Sequence, residues 1–90
     1  MIDLKKIKIK KNEVNKLACL VMNNNEDNKG VFGIMSLNIS KWKKEYTSLY
    51  EALINENKNF LLYVLNIEVD TESLTVKDED IIFKDEIIVQ

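Results

Sequence analysis

Two six-residue stretches, Leu17–Met22 (LACLVM) and Phe60–Leu65 (FLLYVL), carry no charge and nothing more polar than a cysteine or a tyrosine. Each is too short for a good helix, which needs at least about 10–12 residues, whereas buried strands take about 4–8. Both therefore read as strands buried on two faces. A chain with two such strands must cover both sides of a sheet. That demand shapes the rest of the fold.

Cover is scarce. Only Ser40–Asn57 has clear helical spacing: Trp42, Tyr46, Leu49, Tyr50, Leu53 and Ile54 form one apolar stripe,. Thr47, Ser48, Glu51 and Asn55 fall on other faces. Ser40 suits the N-cap, and Asn57 or Asn59 suits a left-handed C-cap. One helix does not cover two faces. Either the sheet curls around it, or the second face meets another molecule.

The flanking segments predict further strands. Ile7 and Ile9 alternate with Lys6, Lys8 and Lys10, the period of a half-buried strand,. Ile2 and Leu4 have the opposite parity, which places a bulge near Lys5–Lys6. Asn12–Asn15 and Asp70–Ser73 read as turns, and Asn23–Gly30 as a polar loop,. Val31–Leu37 (VFGIMSL) returns as the second arm of a hairpin, with Gly33 marking a bulge or a close approach. Alternation continues past Leu65 through Ile67 and Val69, and LTVKDEDIIF with IIVQ predicts two or three short edge strands. The likeness between KDED-II and KDE-II, seven residues apart, is too short to mark a repeat. The expected architecture is α+β: a mostly antiparallel, curled five- or six-stranded sheet with one amphipathic helix, order βββ-α-ββ(β). Ninety residues, 46% hydrophobic and 31% charged, fit a single globular domain over residues 1–90,.

Several chemistries are excluded by what the chain lacks. Histidine, arginine and proline are absent, and there is one cysteine. Zinc sites built on Cys/His clusters, Ser-His-Asp catalysis and Cys-His catalysis have no residues to use. Bidentate arginine clamps are missing too. The two glycines, Gly30 and Gly33, make no phosphate loop,. Cys19 sits among apolar neighbours without a base, so it reads as a buried structural thiol. The sequence implies no cofactor, no metal and no enzyme. No apolar run approaches the roughly 18–20 residues of a membrane span. The charged N-terminus does not resemble a signal peptide, so a cytoplasmic location is expected.

Charge is segregated. Met1–Lys16 has a net charge of +4, Leu17–Ile67 is neutral, and Glu68–Gln90 has −6. The run Lys6–Lys11 (KIKIKK) would bind phosphate only as an uncompensated patch. Net acidity argues for the alternative, a solvated strand face lying near the acidic C-terminal strands. Ser40, Lys41, Lys43 and Lys44 crowd the helix start, where free N–H groups can hold an anion such as phosphate. The bland reading of those lysines is that they are simply solvated. Trp42, Tyr46 and Tyr50 either stack on bases or pack the helix on the sheet, and their shared face with Leu49 and Leu53 favours packing.

The acidic residues Asp78, Glu79, Asp80, Asp85 and Glu86 are candidates for a partner-binding surface. Lysine, asparagine and isoleucine supply 13, 11 and 11 residues, a usage typical of AT-rich bacterial, phage or plasmid genes. The leading expectation is a small non-enzymatic protein-binding module, an inhibitor or immunity-type protein of a phage or mobile element. It would bind a host or defence protein through an acidic or sheet-edge surface, a nucleic-acid-binding protein being one candidate, since carboxylates spaced along strands can imitate a phosphate backbone. One alternative is a nucleic-acid-binding accessory protein using Lys5–Lys11 and Lys41–Lys44. Another is a structural homodimer joined through the uncovered sheet face.

Overall fold

Both apolar stretches occupy the centre of the sheet. In the computed structural model, which describes residues 1–9, 15–67 and 76–89, β1 (Lys16–Asn23) and β3 (Phe60–Leu65) pair with each other. The outer strands are β2 (Val31–Asn38) and β4 (Ile81–Ile87), and helix α1 (Trp42–Ile54) lies between β2 and β3 in the chain. The spatial order is β2-β1-β3-β4, and every neighbouring pair is antiparallel. The fold is α+β with order ββ-α-β-β.

Alternation along the strands gives the sheet two distinct faces. One buries Leu17, Cys19, Val21, Leu37, Phe60, Leu62, Val64, Phe83 and Ile87 beneath Trp42, Tyr46 and Leu53 of α1. A fully buried leucine or valine contributes about 1.5–3 kcal/mol, so this face carries most of the stability. The other face buries Ala18, Leu20 and Leu65, with Met22, Tyr63, Ile67 and Ile81 packed around them.

The sheet is not curled, and among the described residues it has four strands rather than five or six. The N-terminal segment explains part of the difference. Leu4–Lys6 forms a short 3-10 turn, started when the Asp3 side chain accepts a hydrogen bond from the Lys5 N–H at 3.0 Å. Ile7–Ile9 follows without pairing to a strand. Ile2, Leu4, Ile7 and Ile9 nevertheless pack on the helix-side core. They share that face with α1, so the sheet need not wrap around the helix. Lys10, Lys11 and most of the Asn12–Asn15 turn lie outside the described residues, as do Val69 and the Asp70–Ser73 turn.

The described part of the C-terminal segment, from Val76 to Val89, supplies one strand where two or three were expected. Asp78–Asp80 is a 3-10 turn, and Ile81–Ile87 runs as one strand beside β3. Ile88 and Val89 lie beyond it and are exposed. Three successive acidic side chains favour the turn over a strand, because Asp is depleted in strands and repulsion is eased where side chains fan out.

Helix α1 is shorter than its sequence pattern at both ends. Lys41 holds the N-cap position without a side-chain cap, so Ser40 belongs to the preceding turn. Beyond Ile54 the chain unwinds in a turn, and Asn57 takes the left-handed conformation with φ 56°. Of the bulge or close approach expected at Gly33, the structure shows a register shift one residue before it. Gly33 pairs with Val21 and Val31 with Met22, leaving Phe32 as the extra residue. The Phe32 ring packs edge-on against Phe60 at 5.0 Å.

Candidate functional site

A finite sheet offers two edges, and here they differ in chemistry. The β4 edge carries Lys84, Asp85 and Glu86. Charges of this kind deter pairing by a further strand. The N-terminal segment also lies close by: the Ile2 N–H donates to Asp85 at 3.4 Å. By contrast, β2 has no charged residue from Val31 to Asn38. Val31, Phe32, Ile34 and Met35 are all exposed, Val31 at 58%.

The hydrogen-bond phase shows which backbone groups of β2 are free. The Ile39 N–H donates to the Asn15 carbonyl at 3.0 Å, so odd-numbered Leu37 and Met35 face β1,. Asn38, Ser36 and Ile34 therefore direct their N–H and C=O groups outward. Glu45 of α1 takes the first of these: its carboxylate accepts from the Asn38 N–H at 3.1 Å and from the Asn38 side chain at 3.2 Å. No described residue meets the outward groups of Ile34 and Ser36. Beside this edge runs a groove of about 450 Å³ between β2 and α1, lined by Met35, Leu37, Lys41, Lys44 and Leu49 among others.

The five acidic candidates do not form one surface. Asp78 and Glu79 are exposed and Asp80 half-buried on the 3-10 turn, where Glu79 and Asp80 share a cleft of about 270 Å³ with Lys8. The basic and acidic ends of the chain are thus neighbours. Asp85 points to the helix side, where its Oδ2 accepts from the Tyr46 hydroxyl at 2.7 Å. Glu86 lies on the opposite face, since adjacent residues of a strand alternate. Asp85 is a structural tie, and the other four remain surface groups.

Ser40, Lys41, Lys43 and Lys44 do gather at the start of α1, around an open cavity of about 410 Å³. The Lys43 ammonium lies 5.7 Å from the Trp42 ring centroid. Trp42 itself is 7% exposed and Tyr46 fully buried, so both are core residues with no face left for bases. Trp42 and Tyr46 close on Phe83 at 5.8 and 5.2 Å. Burial pushes the Cys19 thiol up to about 12, which keeps it protonated and inert at neutral pH,. Burial, and then the hydrogen bond to Asp85, raise the Tyr46 hydroxyl well above its ordinary range.

Sequence reasoning missed the open β2 edge. A signal was present, because residues 31–40 contain no charge, but strand order decides whether such a segment lies inside or at an edge. Among the described residues no cluster of metal-ligating side chains occurs, and no helix is long and apolar enough to cross a membrane. Compared with protein-family models, curated proteins and solved structures, the chain matches none.

Proposed function

We propose that this chain is a small non-catalytic protein-binding module that accepts a strand of a protein partner along β2. The supporting observation is the uncharged, exposed edge Val31–Asn38, with the outward groups of Ile34 and Ser36 unmet by any described residue. Backbone pairing at such an edge gives affinity, and side-chain pockets beside it give specificity. The groove between β2 and α1 is such a pocket. An inhibitor or immunity-type role fits this reading, because capping a partner's strand needs no chemistry.

The test is affinity capture by the tagged chain, with nuclease present, comparing wild type with Ser36→Pro. Proline removes one outward N–H while leaving the β1 side of the ladder intact. Loss of the retained protein in Ser36→Pro supports strand addition, and equal retention sinks it. A second reading places the partner on Asp78, Glu79, Asp80 and Glu86, all at least partly exposed. Neutralising those four would then abolish capture while Ser36→Pro did not. Capture that vanishes with nuclease would favour nucleic acid bound by Lys5–Lys11 and Lys41–Lys44, of which Lys10 and Lys11 lie outside the described residues.

A further inference from the structure

Resting on the strand-addition reading, we infer that the strand added to β2 is the β2 of a second copy, paired antiparallel about a two-fold axis at Ile34. Four observations lead there. First, the segment carries no charge, so two copies meet without the like-charge repulsion that usually keeps identical edges apart,. Second, the Glu45 carboxylate occupies the outward N–H of Asn38 and closes one end of the edge. Short of that closed end the outward backbone groups left open by the described residues are those of Ser36 and Ile34, and Ile34 is the one farther from it.

Third, Ile34 directs both backbone groups outward, so across a two-fold it exchanges N–H···O bonds with its own copy. Fourth, this register sets Met35 of each chain opposite Gly33 of the other. A Cβ at Gly33 would meet nothing within 4 Å, and Met35 is 39% exposed. The methionine of one copy fills the space left by the glycine of the other. The copies join at their edges and not through the far sheet face, whose Ala18, Leu20 and Leu65 are already buried. The product is one continuous eight-stranded sheet, with charged β4 strands at its two ends.

Sedimentation of the purified chain over a concentration series reads this directly. The wild type is expected to pass from monomer to dimer, and Ile34→Lys and Ser36→Pro to weaken the dimer at least about tenfold. Circular dichroism checks that each variant is folded; if one unfolds, the other carries the test. Ile34→Cys reads the register. Hydrogen-bonded antiparallel pairs hold their Cα atoms about 5.5 Å apart, within disulfide reach. Under oxidised glutathione this variant should cross-link far faster than Ile54→Cys on the exposed helix side, and buried Cys19 should not react.

A monomer across the whole series, or cross-linking no faster than in Ile54→Cys, overturns the proposal. If the monomer still loses its captured partner in Ser36→Pro, self-pairing fails and strand addition survives. If capture is also indifferent to Ser36→Pro, both fail.

Discussion

The Tyr46 hydroxyl donates to Asp85 Oδ2 at 2.7 Å and so ties the middle of the helix to the edge strand β4. Tyr46 has no exposed surface, and Asp85 also accepts from the Glu86 N–H at 2.9 Å and, more weakly, from the Ile2 N–H. One carboxylate thereby joins α1, β4 and the N-terminal segment. Hydrogen bonds to charged groups contribute about 1.5–3 kcal/mol, and Asp85 keeps two of its donors when Tyr46 is changed. Tyr46→Phe should therefore cost about 1–2 kcal/mol. For a chain of this size each kcal/mol lowers Tm by about 4–8 °C. An unchanged melting curve would show that the tie contributes nothing.

Trp42→Ala removes the largest side chain of the helix–sheet contact. Truncating a buried tryptophan costs about 3–5 kcal/mol, against a total of about 5–15 kcal/mol for a domain. Urea unfolding followed by circular dichroism should show the midpoint collapsing, or no folded baseline at all. A variant that folds normally would remove Trp42 from the core.

Asn25 links the β1–β2 loop to the start of β3. Its side chain donates to the Asn59 carbonyl at 3.3 Å and accepts from the Asn59 N–H at 3.1 Å. At about 0.5–1.5 kcal/mol per bond, Asn25→Ala should lose about 1–2 kcal/mol. The Asn59 amide should also exchange with solvent faster than its neighbours. Unaltered exchange there would contradict the link.

Alkaline pH should destabilise the fold through Cys19. Its folded value of about 12 stands above the ordinary 9.0, so the unfolded chain gives up this proton first. The stabilisation is complete below pH 9, declines as pH rises above 9, and is gone once pH passes the folded value. The decline is about 1.4 kcal/mol per pH unit within that window. Tyr46, raised in the same direction, adds to the loss above its ordinary value of 10.0. Cys19→Ala should flatten the dependence of Tm on pH between 9 and 12, and a parallel pair of curves would refute the assignment.

How much of this was legible in the sequence depended on whether the information was local. Leu17–Met22 and Phe60–Leu65 announced themselves, since an uncharged six-residue run has few places to go except between two other strands. Trp42, Tyr46 and Leu53 gave the helix and the face it buries. The run Ile7–Ile9 misled: Ile7 and Ile9 do turn inward, yet alternation is met by any extended chain, and a strand also needs a partner edge. Asp85 and Glu86 looked like one acidic patch because they are adjacent, although strand alternation sends them to opposite faces. The β2 edge was hidden for a different reason. Nothing in Val31–Asn38 records that Phe60–Leu65, and not another strand, takes the far side of β1.

That topology also sets a timetable during synthesis. The β1–β2 hairpin is contiguous and able to close as soon as Asn38 leaves the ribosome, but the other side of β1 waits for β3. Between the emergence of Asn38 and that of Leu65, 27 residues are added, about 1–5 s at ~5–20 residues per second. For those seconds the nascent hairpin has two open edges, one of them the apolar strand β1. A chaperone that shields extended apolar segments would have its chance then, and the arrival of Phe60–Leu65 would end it.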